Sequence, residues 1–254
     1  MPKPPPKLPA PFLRRLSIKV GDPASPGAYP YNIPLLNSGN LDISFDSPVT
    51  IFAGENGAGK STLLEAIAAT SGFNPEGGSS SHYFRTEDNQ VNPVNVRLSW
   101  LPKIRKGFFF RAESFFNFST YIDTLAREDQ SIWQGYGGKS LHARSHGESF
   151  LALFESRFQR STNCLFILDE PEAALSPTNQ LRFLKIIRDI ERGNNQVIMA
   201  SHSPILMAYP GAALMLLDDA GTHPLDFNQS SQFLLWREFV KRPHELVAEI
   251  LEDD

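Results

Sequence analysis

Gly54, Gly59, Lys60 and Ser61 stand at the fixed positions of a glycine, four residues, then glycine-lysine-serine. The full stretch is Gly54-Glu55-Asn56-Gly57-Ala58-Gly59-Lys60-Ser61-Thr62. An apolar run precedes it and a helix-period run follows. Glycines let such a loop wrap until its N–H groups converge on phosphate oxygens, and a helix start adds positive potential. Lys60 is placed for the β- and γ-phosphates of a nucleotide. The Ser61 hydroxyl suits Mg2+, which prefers oxygen ligands.

Two further sites could act on the same phosphates. The run Cys164–Leu168 is apolar and ends in Asp169-Glu170, which predicts a buried strand with acids at its carboxyl end, where open α/β sheets bind ligands. Asp169 can hold Mg2+. Strand alternation turns Glu170 to the opposite side, as a general base or a residue that positions water. His202 ends the next buried run, "QVIMASHSP", and is expected to contact the γ-phosphate.

The segment Ser145-His146-Gly147-Glu148-Ser149 follows a glycine-rich lead and opens another helix-period run, as a second anion-binding helix start would. Ser145 and His146 are adjacent and diverge on a helix start, so they do not form a nucleophile–base pair. The six histidines show no zinc spacing. The aromatic string "FFFRAESFFNF" reads as a buried strand leading into a packed helix, in preference to a nucleic-acid platform.

These residues need a scaffold of buried strands alternating with helices. Leu13–Val20 and Leu41–Phe45 alternate as strands, Val49–Gly54 is a buried strand, and a helix follows Gly59. A long polar loop covers Ser71–Pro93. "VNVRLSW" and "GFFFRAES" read as a strand pair joined by the basic turn "LPKIRK". A helix follows, then the second helix start with its helix to about Ser161. The acid-tipped strand leads to the helix "SPTNQLRFLKIIRDIERG". Two more buried strands, "QVIMASHSP" and "ALMLLDD", precede a helix broken near Pro243. The expected fold is α/β, with a mainly parallel sheet, a small antiparallel β subdomain and a helical part over about 113–162. A proline-rich, extended and flexible arm covers 1–11, and one domain covers 12–254.

The 254 residues, 41% hydrophobic and 20% charged, fit a globular chain. A net charge of -4 is not the overall signature of a nucleic-acid binder. The basic clusters Arg14-Arg15, Lys103–Lys106 and Arg157–Arg160 read as solvated faces. The single cysteine, Cys164, excludes an intramolecular disulfide and favours a reducing compartment. No apolar run approaches the roughly 18 residues of a membrane helix. A cytoplasmic location is expected.

The order of Gly54–Thr62, Ser145–Ser149, Asp169-Glu170 and His202 resembles the ATPase heads of the ABC class. In particular it is similar to soluble prokaryotic AAA-labelled ATPases related to DNA-repair and chromosome-maintenance heads. "DEPEAALSP" and the pair "GFFFRAESFFN" with "SLHARSHGESFLALF" carry that likeness, which spans roughly Phe12 to Asp218. The resemblance implies a P-loop ATPase that binds ATP with Mg2+. It also implies a homodimer with two ATP molecules sandwiched between copies. Ser145 and the Gly147 backbone would reach across to the partner's γ-phosphate. The lid position falls on Glu113 or Arg111, with Gln90 weaker, and adenine stacking on Tyr29, Tyr31 or neither. Ser176 stands where an aspartate often closes the loop after the acidic strand. Glu148 and Ser149 replace a glycine and a glutamine usual in transporters, and Glu148 could instead form a capping box with Ser145. There is no room for long coiled-coil arms. Three readings follow: an ATPase that drives a partner, a slow nucleotide-gated module for DNA or an effector protein in repair or phage defence, and a transporter ATP-binding subunit.

Overall fold

A computed structural model describes residues 8–19, 33–36, 39–74, 77–78, 96–143 and 145–252. Its centre is a six-stranded sheet. In chain order the strands are β3 (Val49–Ala53), β5 (Gly107–Arg111), β6 (Leu165–Asp169), β7 (Gln196–Ala200), β8 (Ala213–Asp218) and β9 (Gly221–Pro224). In space they run β5-β6-β7-β3-β8-β9. All pairings are parallel except β8 with β9. A separate antiparallel sheet, β2-β1-β4, is built from β1 (Leu13–Ile18), β2 (Leu41–Ser44) and β4 (Val96–Trp100). The helices are α1 (Lys60–Ser71), α2 (Phe115–Glu128), α3 (His146–Leu153), α4 (Pro177–Arg192), α5 (Pro204–Met207), α6 (Ser231–Lys241) and α7 (Pro243–Glu252).

Strand alternation divides the central sheet between two cores. Phe109, Leu165, Ile167 and Ile198 pack with Leu63, Leu64 and Ile67 of α1 and with Leu13, Leu16 and Ile43 of the small sheet. Phe108, Phe110, Phe166, Leu168 and Val197 face Phe118, Phe150, Phe154 and Phe183 of the helical layer. There Phe110 meets Phe150 edge-on at 4.6 Å, and Phe150 meets Phe183 at 4.9 Å. The aromatic string is therefore core, apart from Phe116, which is exposed. The same parity places Asp169 and Arg111 on the α1 side of the sheet, in step with Ile167 and Phe109.

Several expectations are corrected. β4 and β5 are not a pair: β4 lies antiparallel to β1, and β5 lies parallel to β6. The burial patterns give the reason. "VRLSW" alternates between half-buried and exposed, as suits a sheet with one open face, whereas the middle of "GFFFR" is buried throughout and needs cover on both sides. The strand β8 is mostly half-buried, not buried, because its outer neighbour is the short hairpin strand β9, which the sequence did not announce. The helix after Ser145 is regular only to Leu153 and continues as a wider π-helical turn over Phe154–Phe158.

The proline-rich arm also needs correction where it is described. Asn194 Oδ1 accepts from Ala10 N–H at 2.9 Å, its Nδ2 donates to Leu8 O at 3.2 Å, and Gln196 Oε1 accepts from Phe12 and Leu13 N–H. Leu8 and Ala10 are thus tied to the turn before β7. Residues 1–7 lie outside the described residues. At the other end, α6 and α7 bury no residue and leave Leu235, Trp236, Val240, Ile250 and Leu251 exposed.

Candidate functional site

The site forms where β3 ends. Gly54 leaves the strand at φ 151°, and a Cβ there would lie 2.4 Å from Leu217 O. Only glycine lets the chain pass this close to β8. The rim of the loop, Glu55, Asn56 and Gly57, is exposed, while Ala58, Gly59 and Lys60 are buried. α1 opens at Gly59, φ 101°, without a side-chain cap. The helices α3, α4, α5 and α6 are each capped by a serine. No side chain therefore occupies the start of α1, which suits an anion seated on the loop.

Lys60 folds back across the loop, donating to Gly54 O at 3.0 Å and Glu55 O at 2.9 Å. Burial lowers its pKa, while Glu170 and Asp169 act in the opposite sense. Ser61 Oγ donates to Asp169 Oδ1 across 3.0 Å, joining the first turn of α1 to the tip of β6. Burial raises Asp169 to about 6, against the Ser61 hydrogen bond and the Arg111 charge. The pair offers hard oxygen donors. Among the described residues, no group of three or more His, Cys, Asp or Glu is placed to hold a metal unaided. That donor set fits Mg2+, which takes one or two carboxylates and completes its shell with phosphate and water. Thr62 follows Ser61 and is half-buried.

Glu170 is not placed by strand alternation. It leaves β6 in the left-handed region, φ 46° and ψ 54°, a conformation that costs a non-glycine residue about 1–3 kcal/mol. Its Oε1 lies 3.5 Å from His202 Nε2. Burial lowers the His202 pKa, helped by the Lys60 charge and opposed by Glu170. Both burial and the Lys60 charge thus favour the neutral imidazole.

A cleft of about 370 Å³ opens beside Ser61, Asp169 and Glu170, lined also by Arg111, Ala112, Glu113, Ala173 and Ala174; Lys60 and His202 lie outside its lining. Both lid candidates of the aromatic strand thus border it. They differ in setting. The Glu113 side chain is 82% exposed, whereas Arg111 is anchored by Glu65 of α1 at 2.6 Å and also approaches Glu113 at 3.3 Å and Asp169 at 3.8 Å. Gln90, Tyr29 and Tyr31 lie outside the described residues.

At the second helix start, Ser145 caps α3. Ser145 Oγ accepts from Glu148 N–H at 3.4 Å, and Glu148 Oε2 accepts from Ser145 N–H at 3.1 Å and Oγ at 2.9 Å. This is the capping box. α3 begins with the His146 backbone. Gly147 packs closely, since a Cβ would meet Ala174 O at 3.0 Å and Asn179 Nδ2 at 3.2 Å. Ser145 and Glu148 are exposed. Ser149 is corrected: it is 2% exposed and donates inward to Leu141 O, so its hydroxyl faces the core and not a partner. Ser176 is used as the N-cap of α4.

Two groups went unnoticed in the sequence. Glu65 is a lone acid within "LLEAIAA", and its isolation in an apolar run was the available signal. Glu172 looked like one more acid after the strand. Its Oε1 instead accepts from Ser201 Oγ, His202 N–H and Ser203 N–H.

A phosphate loop between a buried parallel strand and its helix, with the acid-tipped β6 hydrogen-bonded to it, defines an ABC-type P-loop ATPase head, an ATP hydrolase. A family model described as AAA domain matches residues 32–183, and the chain belongs to this family. It is similar to an uncharacterized ABC transporter ATP-binding protein of Haemophilus influenzae, 24% identical over 190 residues, covering 68% of this chain and 71% of the relative. The cobalt import ATP-binding protein CbiO of Salmonella typhimurium is 26% identical over 186 residues, covering 67% of each. Among solved structures, the SMC head domain from Thermotoga maritima aligns with a TM-score of 0.44 and 16% identity, over 85% of this chain and 99% of that one. No helix among the described residues is long and apolar enough to cross a membrane.

Proposed function

We propose that two copies of this chain close around two ATP molecules, and that hydrolysis then drives or gates a partner. The observation that carries this reading is the Ser61–Asp169 hydrogen bond beside the buried Lys60, with Glu170 and His202 on the same rim. On this reading the loop amides and Lys60 bind the phosphates, and Lys60 exchanges its two carbonyl partners for β- and γ-phosphate oxygens. Ser61 and Asp169 hold Mg2+, which when bound offsets charge on those phosphates. Glu170 accepts the proton of the attacking water. Neutral His202 donates a hydrogen bond to the γ-phosphate. Glu113 borders the cleft at the lid position, beside Arg111.

Ser145 and the Gly147 backbone complete the neighbour's site in trans. The exposure of Ser145 at the start of α3 supports this role, since its own cleft is lined by other elements. The buried, lone Cys164 suits a reducing, cytoplasmic setting. The test is the mass of the Glu170→Gln protein with and without ATP and Mg2+. A dimer that appears only with ATP supports the reading. A mass that does not change with nucleotide removes it.

A second reading, a subunit serving a membrane partner, draws support from relatives named for transport. Copurification with an integral membrane protein would favour it. DNA as the partner predicts binding that weakens steeply with salt.

A further inference from the structure

The turn that carries Glu170 also carries Glu172, and Glu172 reaches across the carboxyl edge of the sheet into the loop after β7. Its Oε1 collects three donors from consecutive residues: Ser201 Oγ at 2.9 Å, His202 N–H at 2.5 Å and Ser203 N–H at 3.2 Å. The loop is fastened further along. Ser203 N–H also donates to Ser201 Oγ at 3.0 Å, Ser203 Oγ donates to Gln180 Oε1 at 2.5 Å, and Gln180 Nε2 donates to Leu175 O at 3.1 Å. The backbone of His202 is therefore held from the turn after β6, and its imidazole comes to 3.5 Å from Glu170. Two side chains with proposed roles in hydrolysis stand on different loops, and one carboxylate oxygen fixes the distance between them.

The arrangement is directional. Two successive N–H groups aimed at one oxygen form an anion-binding concavity. Without Glu172 the His202 amide loses its acceptor next to a site built for phosphate, while Ser203 N–H keeps Ser201 Oγ, and an unpaired buried donor costs about 1–3 kcal/mol. The loop would then re-form around another acceptor and carry His202 with it. What holds the loop is the acceptor oxygen; the Glu172 charge also acts on Lys60, and Glu172→Gln, which keeps the oxygen and removes the charge, separates the two.

We infer that Glu172 is a positioning residue for hydrolysis, setting His202 against the γ-phosphate and Glu170 through the backbone of Ser201–Ser203. This rests on the proposed role of His202. The test compares steady-state hydrolysis and ATP affinity for His202→Ala, Glu172→Ala, Glu172→Gln and the Glu172→Ala/His202→Ala pair. A misplacement of about 1 Å can cost about 10²-fold. Glu172→Ala is expected to lower kcat about that much, with ATP affinity unchanged because the phosphate loop is intact. Glu172→Gln keeps an acceptor oxygen and is expected to retain most of the rate. The pair is expected to be no slower than His202→Ala alone.

Equal rates for wild type and His202→Ala would remove the histidine reading and the inference with it. A slow His202→Ala whose loss simply multiplies with that of Glu172→Ala would sink the inference alone, since Glu172 would then act by another route. Should Glu172→Ala fail to fold, Glu172→Asp takes its place, its shorter side chain failing to reach the three donors. Amide hydrogen exchange in the nucleotide-free protein gives an independent reading. Protection at His202 is expected in wild type and Glu172→Gln and lost in the short variants, and unchanged protection overturns the inference.

Discussion

Arg111 Nη1 lies 2.6 Å from Glu65 Oε1, so a buried ion pair joins the end of β5 to the helix that opens on Lys60 and Ser61. Glu65 is 6% exposed, and the Arg111 side chain is 18% exposed. Without Glu65, Arg111 still has Glu113 at 3.3 Å and Asp169 at 3.8 Å, so the cost is that of one charged hydrogen bond, about 1.5–3 kcal/mol. Glu65→Leu is expected to destabilise the protein by that order in urea unfolding. Glu65→Leu combined with Arg111→Met is expected to recover only part of the loss, because buried Asp169 then loses the Arg111 charge as well. Equal stability of the single and double variants would show that the pair contributes nothing specific.

The second prediction concerns pH. Burial raises Asp169 from an ordinary 3.8 to about 6 in the folded chain. Between those values the folded state holds a proton that the unfolded state has released, so stability falls as pH rises through the window. The whole effect is about 3 kcal/mol, present as a penalty above pH 6 and absent below about 4. Thermal unfolding of the metal- and nucleotide-free protein, compared with Asp169→Asn at each pH, should show this difference in slope. Added Mg2+ and ATP should restore stability mainly above pH 6, where the carboxylate is charged.

What was legible in the sequence is what local spacing encodes. The phosphate loop and the acid at the end of β6 follow from residues a few positions apart. Strand pairing is not local. β4 and β5 are joined by a short turn, yet each has a stronger partner elsewhere, and only the contrast between alternating "VRLSW" and apolar "GFFFR" hinted at it. Glu65 and Glu172 were obscure for the same reason. Their partners, Arg111 and Ser201–Ser203, come from other elements, and an acid in a sequence does not say what it accepts from. Glu170 was assigned its side of the sheet by alternation, but its left-handed backbone decides where it points.

The third prediction contrasts two glycines of one loop. A Cβ on Gly54 would lie 2.4 Å from Leu217 O with φ at +151°, whereas one on Gly57, φ +81°, meets nothing within 4 Å. Gly54→Ala thus combines backbone strain with a clash against the β8 main chain, for about 2–4 kcal/mol. Gly57→Ala carries only the left-handed penalty, about 1–2 kcal/mol. Differential scanning calorimetry should rank them in that order, and a reversed ranking would contradict the close approach of β3 and β8.

The last prediction separates two uses of Ser145. Its hydroxyl caps α3 and is engaged with Glu148, which places a carboxylate where the trans reading brings a γ-phosphate. Alanine would remove both uses at once, so Ser145→Ala is uninformative beyond the loss of a cap, about 1 kcal/mol. Aspartate also caps a helix, but two carboxylates then meet where Ser145 Oγ donates to Glu148 Oε2, so Ser145→Asp should cost about 1 kcal/mol. It also adds a negative charge facing the incoming phosphate. In the Glu170→Gln background the ATP-dependent dimer should then be lost. Glu148→Gln makes the opposite change, because glutamine preserves the capping box while removing a charge from that surface. It should tighten the ATP-bound dimer, with the larger gain at low salt, where exposed charges are least screened. An unaltered dimer in both variants, measured by light scattering across ATP concentration, would place the start of α3 outside the nucleotide interface.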